Sequence, residues 1–149
     1  MEPNAMLGML HLIANDTRLF DVIDRVTGCG PIGSFIGRVY LRRGSAGHYD
    51  RWHTDLNGAR LIGMSVNLTE GTFEGGTFEL RQIGSAGAEC AIANTGPGDA
   101  ILFRIADGLQ NRVTVVEGDL ARIAFAGWFQ SGSDLLSLLK AGSIGAIAL

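Results

Sequence analysis

The sequence predicts a mainly β domain of two packed sheets, and three observations carry that expectation. Short apolar runs recur at a spacing of roughly ten residues with Gly, Asn and Asp between them. Glycine is abundant, 22 of 149 residues, without a collagen period, which suits many short strands and tight turns. No helical segment of useful length separates the apolar runs, so a parallel α/β sheet is not expected. About eight strands in a chain of this length fit a two-sheet jelly roll.

The elements follow in order. The first fourteen residues fit no single pattern. Asn15 to Gly28 reads as a helix: Asp16 or Thr17 can cap it, Leu19, Phe20, Ile23 and Val26 share one apolar face, and Gly28 suits the stop. Strands are expected at 35–43, 48–55, 60–68, 75–82, 88–94, 99–104, 110–117 and 120–130, with Gly75, Gly76 and Gly98 in turns that need a positive φ. Ser133 to Lys140 reads as a short C-terminal helix, followed by an apolar tail. No repeat or linker divides the chain. The expected organisation is one domain over 1–149: a helical part at 1–34, a β core at 35–130 and a tail at 131–149.

Composition narrows the function. The net charge of −3 and a pI of about 5.5 give no electrostatic reason to expect a nucleic-acid partner, and the basic residues are scattered. Apolar residues make up 46% and charged residues 18%. No run approaches the ~18 apolar residues of a membrane span. No basic region precedes an apolar stretch at the start, so no signal peptide is expected. Cys29 and Cys90 have no metal-type spacing and read as reduced thiols of a cytoplasmic protein.

The chemistry starts at "WHTD", Trp52 to Asp55. In an extended segment residues i and i+2 point to the same side, so His53 and Asp55 project together. Imidazole plus carboxylate on one face is the start of a 2-His-1-carboxylate site, which holds Fe(II) and leaves positions open for oxygen chemistry. On 120–130, alternation puts Arg122, Ala124, Ala126 and Trp128 on one face and Ile123, Phe125 and Phe129 on the other. A guanidinium beside two alanines leaves room for a small diacid. The competing structural role for Arg122 is a surface ion pair with Asp119 or Glu117.

The ordered segments "RVYLRRGSAGHYDRWHTD", "GTFEGGTFELR", "TGPGDAILF" and "RVTVVEGDLARIAFAGWF" together resemble the Fe(II)/2-oxoglutarate-dependent oxygenases, on the prolyl 4-hydroxylase-like side of that superfamily. The resemblance covers roughly residues 35 to 130. It implies a double-stranded β-helix fold and a dioxygenase that hydroxylates a small molecule or peptide, with Fe(II) as cofactor and 2-oxoglutarate as cosubstrate. It implies that His53 and Asp55 are metal ligands, that Arg122 pairs with the far carboxylate of 2-oxoglutarate, and that Tyr40 lies against the cosubstrate. Trp128 and Phe129 match the family's closing aromatic pair and read as core. The chain is short for the family, so a homodimer is a further expectation.

One position departs from the pattern. Asn111 stands where the family has its second histidine, and Val115 where it commonly has proline. Gln110 faces the other way, and His48 lies five residues before His53, on the opposite side. His11 reaches the site only if the N-terminal segment folds over the barrel mouth. An amide oxygen is a harder, weaker donor than imidazole and suits Fe(II) less well. Two readings follow: a dioxygenase with a weakened metal site made by His53, Asp55 and Asn111, or a catalytically silent binding module on the same fold.

Overall fold

The computed structural model describes residues 3–44, 47–93 and 96–132. Two helices come first, α1 (Pro3–Ala14) and α2 (Thr17–Thr27). Nine strands follow: β1 (Ser34–Arg42), β2 (Arg60–Asn67), β3 (Glu74–Gly75), β4 (Phe78–Gln82), β5 (Cys90–Ile92), β6 (Ala100–Arg104), β7 (Leu109–Val113), β8 (Val116–Glu117) and β9 (Arg122–Gln130). The expected C-terminal helix at 133–140 lies outside the described residues.

The strands form a four-stranded sheet in the order β1-β9-β2-β6, a three-stranded sheet in the order β5-β4-β7, and a small β3-β8 pair. Every pairing is antiparallel. β9 lies inside the large sheet, paired along its whole length with β1 and along most of it with β2. The two larger sheets meet where Phe78 of β4 stacks on Phe103 of β6, ring centroids 4.7 Å apart. Gly63 permits this: a side chain there would run into the Phe103 ring.

The other face of the large sheet packs on the helices. Phe35, Phe125 and Phe129 form a ring cluster with centroids 4.7 to 5.4 Å apart, and Phe20 of α2 meets Phe129 edge-on. Ile23, Ile62, Met64 and Ala14 complete this core. Each fully buried large side chain contributes about 1.5–3 kcal/mol. Asn15, between the helices, ties them to the edge strand β1: its amide donates to Phe35 O and accepts from Phe35 N.

The helix expected at 15–28 is present with both its caps. The Asp16 carboxylate accepts from Arg18 N, and Gly28 takes the left-handed conformation at φ 62°. Val26, expected on its buried face, is exposed, because the packed face ends at Ile23. The ambiguous N-terminus is a helix as well. Its Ala, Leu and Met residues are good helix formers, but it is apolar on all sides, so no face could be read from spacing. Its inner side is His11 and Ala14, while Met6, Met9, Leu12 and Ile13 are exposed.

The strand expected at 48–55 is absent. That stretch meets β7 through one isolated bridge, His53 to Asn111, and a further bond from Asp50 N to Val113 O, too few contacts for a continuous ladder. Strands expected at 75–82 and 110–117 are each broken in two. Gly75 and Gly76, at φ 68° and 60°, turn the chain between β3 and β4. Thr114 and Val115 bond across to Thr77 and Gly76, which separates β7 from β8.

Candidate functional site

A cleft of about 100 Å³ lies between the two larger sheets. One wall is the inner face of the large sheet, with Tyr40 and Arg42 from β1, Ser65 from β2, and Arg122, Ala124, Ala126 and Trp128 from β9. The opposite wall carries Phe78, Asn111 and Val113. His53, Asp55 and Asp50 reach it from the 48–55 segment. The alternation read on 120–130 holds: the even-numbered residues face the cleft, and Phe125 and Phe129 face the helices. Trp128 therefore lines the cleft, not the core. Its ring lies under the Arg60 guanidinium, 3.6 Å from ring centroid to Cζ.

Arg122 is the least expected feature of the wall. It is 3% exposed, so the surface ion pair with Asp119 or Glu117 is excluded. Its NH2 donates to Ser65 Oγ at 3.2 Å, and its buried Nε has no hydrogen-bond partner. Among the described residues no carboxylate lies within ion-pair distance of it. Its pKa is held below the ordinary arginine value, at about 10: burial is the main cause, the Arg42 cation beside it adds to the drop, and Asp50 opposes both. Arg42 is neutralised locally, because its NH2 donates to both Asp50 oxygens at 2.7 Å. A buried guanidinium without an acid is costly unless something anionic completes it. The alanines that follow it on the same face leave the space for that group.

The polar group at the other end of the cleft is built from three residues. His53 and Asp55 project together, with Nε2 3.9 Å from Oδ1. His53 Nδ1 lies 2.9 Å from Arg51 O, so Nδ1 donates to the carbonyl, which makes Nε2 the acceptor whenever the ring is neutral. The His53 side chain is 44% exposed and that of Asp55 9%. Asn111 is buried, and its Nδ2 donates to Asp55 Oδ2 at 2.8 Å. The residue at the expected third-ligand position thus touches Asp55 with an N–H, as a cation on that carboxylate would. For its oxygen to serve as a ligand the amide must turn over. Among the described residues, no three His, Cys, Asp or Glu side chains come together as a metal cluster.

The remaining candidates divide as follows. Tyr40 is in the cleft wall, 5.8 Å from its ring centroid to Arg38 Cζ. His48 is exposed. His11 is buried on the helix side, against Phe35 and Phe125, so it does not cover the cleft mouth. Gln110 accepts from Arg81 on the outer face of the three-stranded sheet. Sequence reasoning missed Ser65, Arg42 with Asp50, and Phe78 with Phe103. Arg42 carried a signal, two residues after Tyr40 on one strand face. The Phe pair carried none, since only the meeting of the sheets joins them. Neither cysteine is in a disulfide, and no described helix is long and apolar enough to cross a membrane.

No protein-family model matches the chain, and neither does any curated protein. Solved structures do share the fold. A prolyl-4-hydroxylase from Pseudomonas putida is 21% identical, with a TM-score of 0.59 over 80% of this chain and 64% of that one. An oxidoreductase of the 2OG-Fe(II) oxygenase family from Burkholderia pseudomallei is 18% identical, with a TM-score of 0.61 over 86% of this chain and 59% of that one. The chain thus spans about three fifths of the length of each.

Proposed function

We propose that the cleft is the site of an Fe(II)- and 2-oxoglutarate-dependent dioxygenase of jelly-roll architecture, with a weakened metal site, acting on a small molecule or peptide. Arg122 carries the reading. A buried cation without an acid, beside Ser65 and two alanines, fits the far carboxylate of 2-oxoglutarate, and its planar fork suits bidentate contact. The shared fold with a prolyl-4-hydroxylase and a 2OG-Fe(II) oxygenase supports the same chemistry.

The donor set fits a divalent iron ion in part. His53 Nε2 and Asp55 Oδ1 would hold it, and Asn111 would join through its oxygen after its amide turns. Iron with 2-oxoglutarate supplies O2-driven oxidation of a substrate C–H bond, coupled to decarboxylation of the cosubstrate to succinate. The protein's residues do the rest. Arg51 O fixes the His53 ring through Nδ1–H. Arg122 and Ser65 fix the cosubstrate's far end. Phe78, Phe103, Val113 and Met64 line the cleft with apolar surface that excludes water. Tyr40 and Trp128 shape the cleft toward the cosubstrate and the substrate.

A second reading rests on the Asn111–Asp55 hydrogen bond, which satisfies the carboxylate without a metal. It makes the chain a silent binding domain that keeps the dicarboxylate pocket. Anaerobic Fe(II) titration with and without 2-oxoglutarate, read by the visible charge-transfer band, separates the two. A band that needs both components supports the dioxygenase. A band absent here but present in Asn111→His supports the silent domain. A band in neither removes the metal assignment to His53 and Asp55.

A further inference from the structure

We infer that Trp52 is a positioning residue that sets the direction of His53 and Asp55, through a clamp on the outer face of the three-stranded sheet. The inference rests on the reading of His53 and Asp55 as the metal-holding pair. Those two residues sit on a stretch with little regular backbone support. Asp50 N bonds to Val113 O at 2.9 Å, and His53 and Asn111 exchange N–H···O bonds of 3.1 and 2.9 Å. The bridge at His53 is isolated.

Side chains supply the missing hold. Trp52 points to the side opposite its neighbour His53, as alternation in an extended segment requires. Its ring meets two guanidiniums, Arg81 Cζ at 4.2 Å and Arg112 Cζ at 4.5 Å from the centroid. Both arginines are fixed in turn. Arg112 Nε donates to Glu79 Oε2 at 2.6 Å. Arg81 donates to Gln110 Oε1 through Nε and NH2, and to Ser85 O through NH1. Arg81 and Gln110 are register partners, as are Glu79 and Arg112, so the four form one braced patch across β4 and β7. Asn111 lies between Gln110 and Arg112 on β7, and its side chain faces the other way, onto Asp55.

The clamp therefore addresses a specific weakness. A short extended segment with one bridge can rotate or slip by one residue, and a one-residue slip exchanges its two sides. With the indole seated on two fixed cations, such a slip would unseat it. The ring keeps Trp52 outside and His53 and Asp55 inside. A fully exposed tryptophan gives no such directional preference.

The test compares Trp52→Ala and Trp52→Phe with the parent chain by amide hydrogen exchange and by Mn(II) affinity from electron paramagnetic resonance. Two cation–π contacts of exposed type correspond to about a tenfold effect. Trp52→Ala is expected to speed exchange at the His53 and Asn111 amides about tenfold and to leave the Phe125 amide in β9 unchanged. Mn(II) affinity is expected to fall by a similar factor, and Trp52→Phe to recover most of both losses. Unchanged exchange at His53 and Asn111, or equal acceleration in β9, would overturn the clamp. If the parent chain binds no Mn(II), the metal reading fails, and the exchange comparison still decides the clamp. Should Trp52→Ala not fold, Arg81→Gln keeps the indole, removes one cation and is judged by the same amides.

Discussion

β9 carries two different environments on its two faces. Phe125 and Phe129 point to the helices and close a dry aromatic cluster. Arg122, Ala124, Ala126 and Trp128 point to the cleft, where small side chains leave space and the buried cation has no carboxylate within ion-pair distance among the described residues. The same backbone ladder supports both. The helix face gains stability from burial. The cleft face gives some of it up, because the charged form of a desolvated arginine is disfavoured there. On the proposed reading, that difference reflects a cleft face shaped for a ligand rather than for the fold.

The comparison breaks first at the helix face. Phe129→Ala is expected to destabilise the chain by about 3–5 kcal/mol in urea unfolding, as for other buried aromatics cut to alanine. At the cleft face the sign is reversed. Depression of the Arg122 pKa to about 10 corresponds to roughly 3 kcal/mol against the folded state at neutral pH. Arg122→Met is therefore expected to match the parent in stability or exceed it by about 1–3 kcal/mol. A loss like that of Phe129→Ala would mean the arginine is part of the core.

The pH dependence sharpens the same point. With its folded pKa near 10, Arg122 holds its proton less firmly in the fold than in the unfolded chain. Its cost to stability is constant below pH 10 and shrinks as the pH rises above 10, where the unfolded chain holds more protons. Dicarboxylate binding needs the charged form. Affinity is expected to be flat from pH 7 to 9 and about tenfold weaker by pH 11, as measured by calorimetry. The smallest effect returns to the helix face. Burial lowers the His11 pKa below 6.5, so the fold favours the neutral ring. Stability is expected to fall as pH drops below 6.5, and His11→Phe to remove that part of the acid limb in unfolding curves.

What could be read in the sequence follows from what is local. The second helix was legible because its caps, Asp16 and Gly28, and its Phe20–Ile23 face lie within one short segment. The two faces of β9 were legible because strict alternation records them. The first helix was not, since exposed Met6, Met9, Leu12 and Ile13 hide its buried side. The 48–55 stretch reads as a strand, but its hold comes from Trp52 on Arg81 and Arg112, contacts no sequence period records. His53, Asp55 and Arg122 could be picked out as chemistry-bearing residues. The bond from Asn111 to Asp55 joins residues 56 apart, and only the folded sheets bring them together.

The central claim, that Arg122 is the anchor for a small dicarboxylate, is tested most directly by calorimetric titration of 2-oxoglutarate into the parent chain and into Arg122→Met. The account predicts saturable one-to-one binding to the parent and a loss of about 100-fold in the variant, the size expected for a charge-assisted bidentate contact. Equal binding by both chains, or none by the parent, would contradict it.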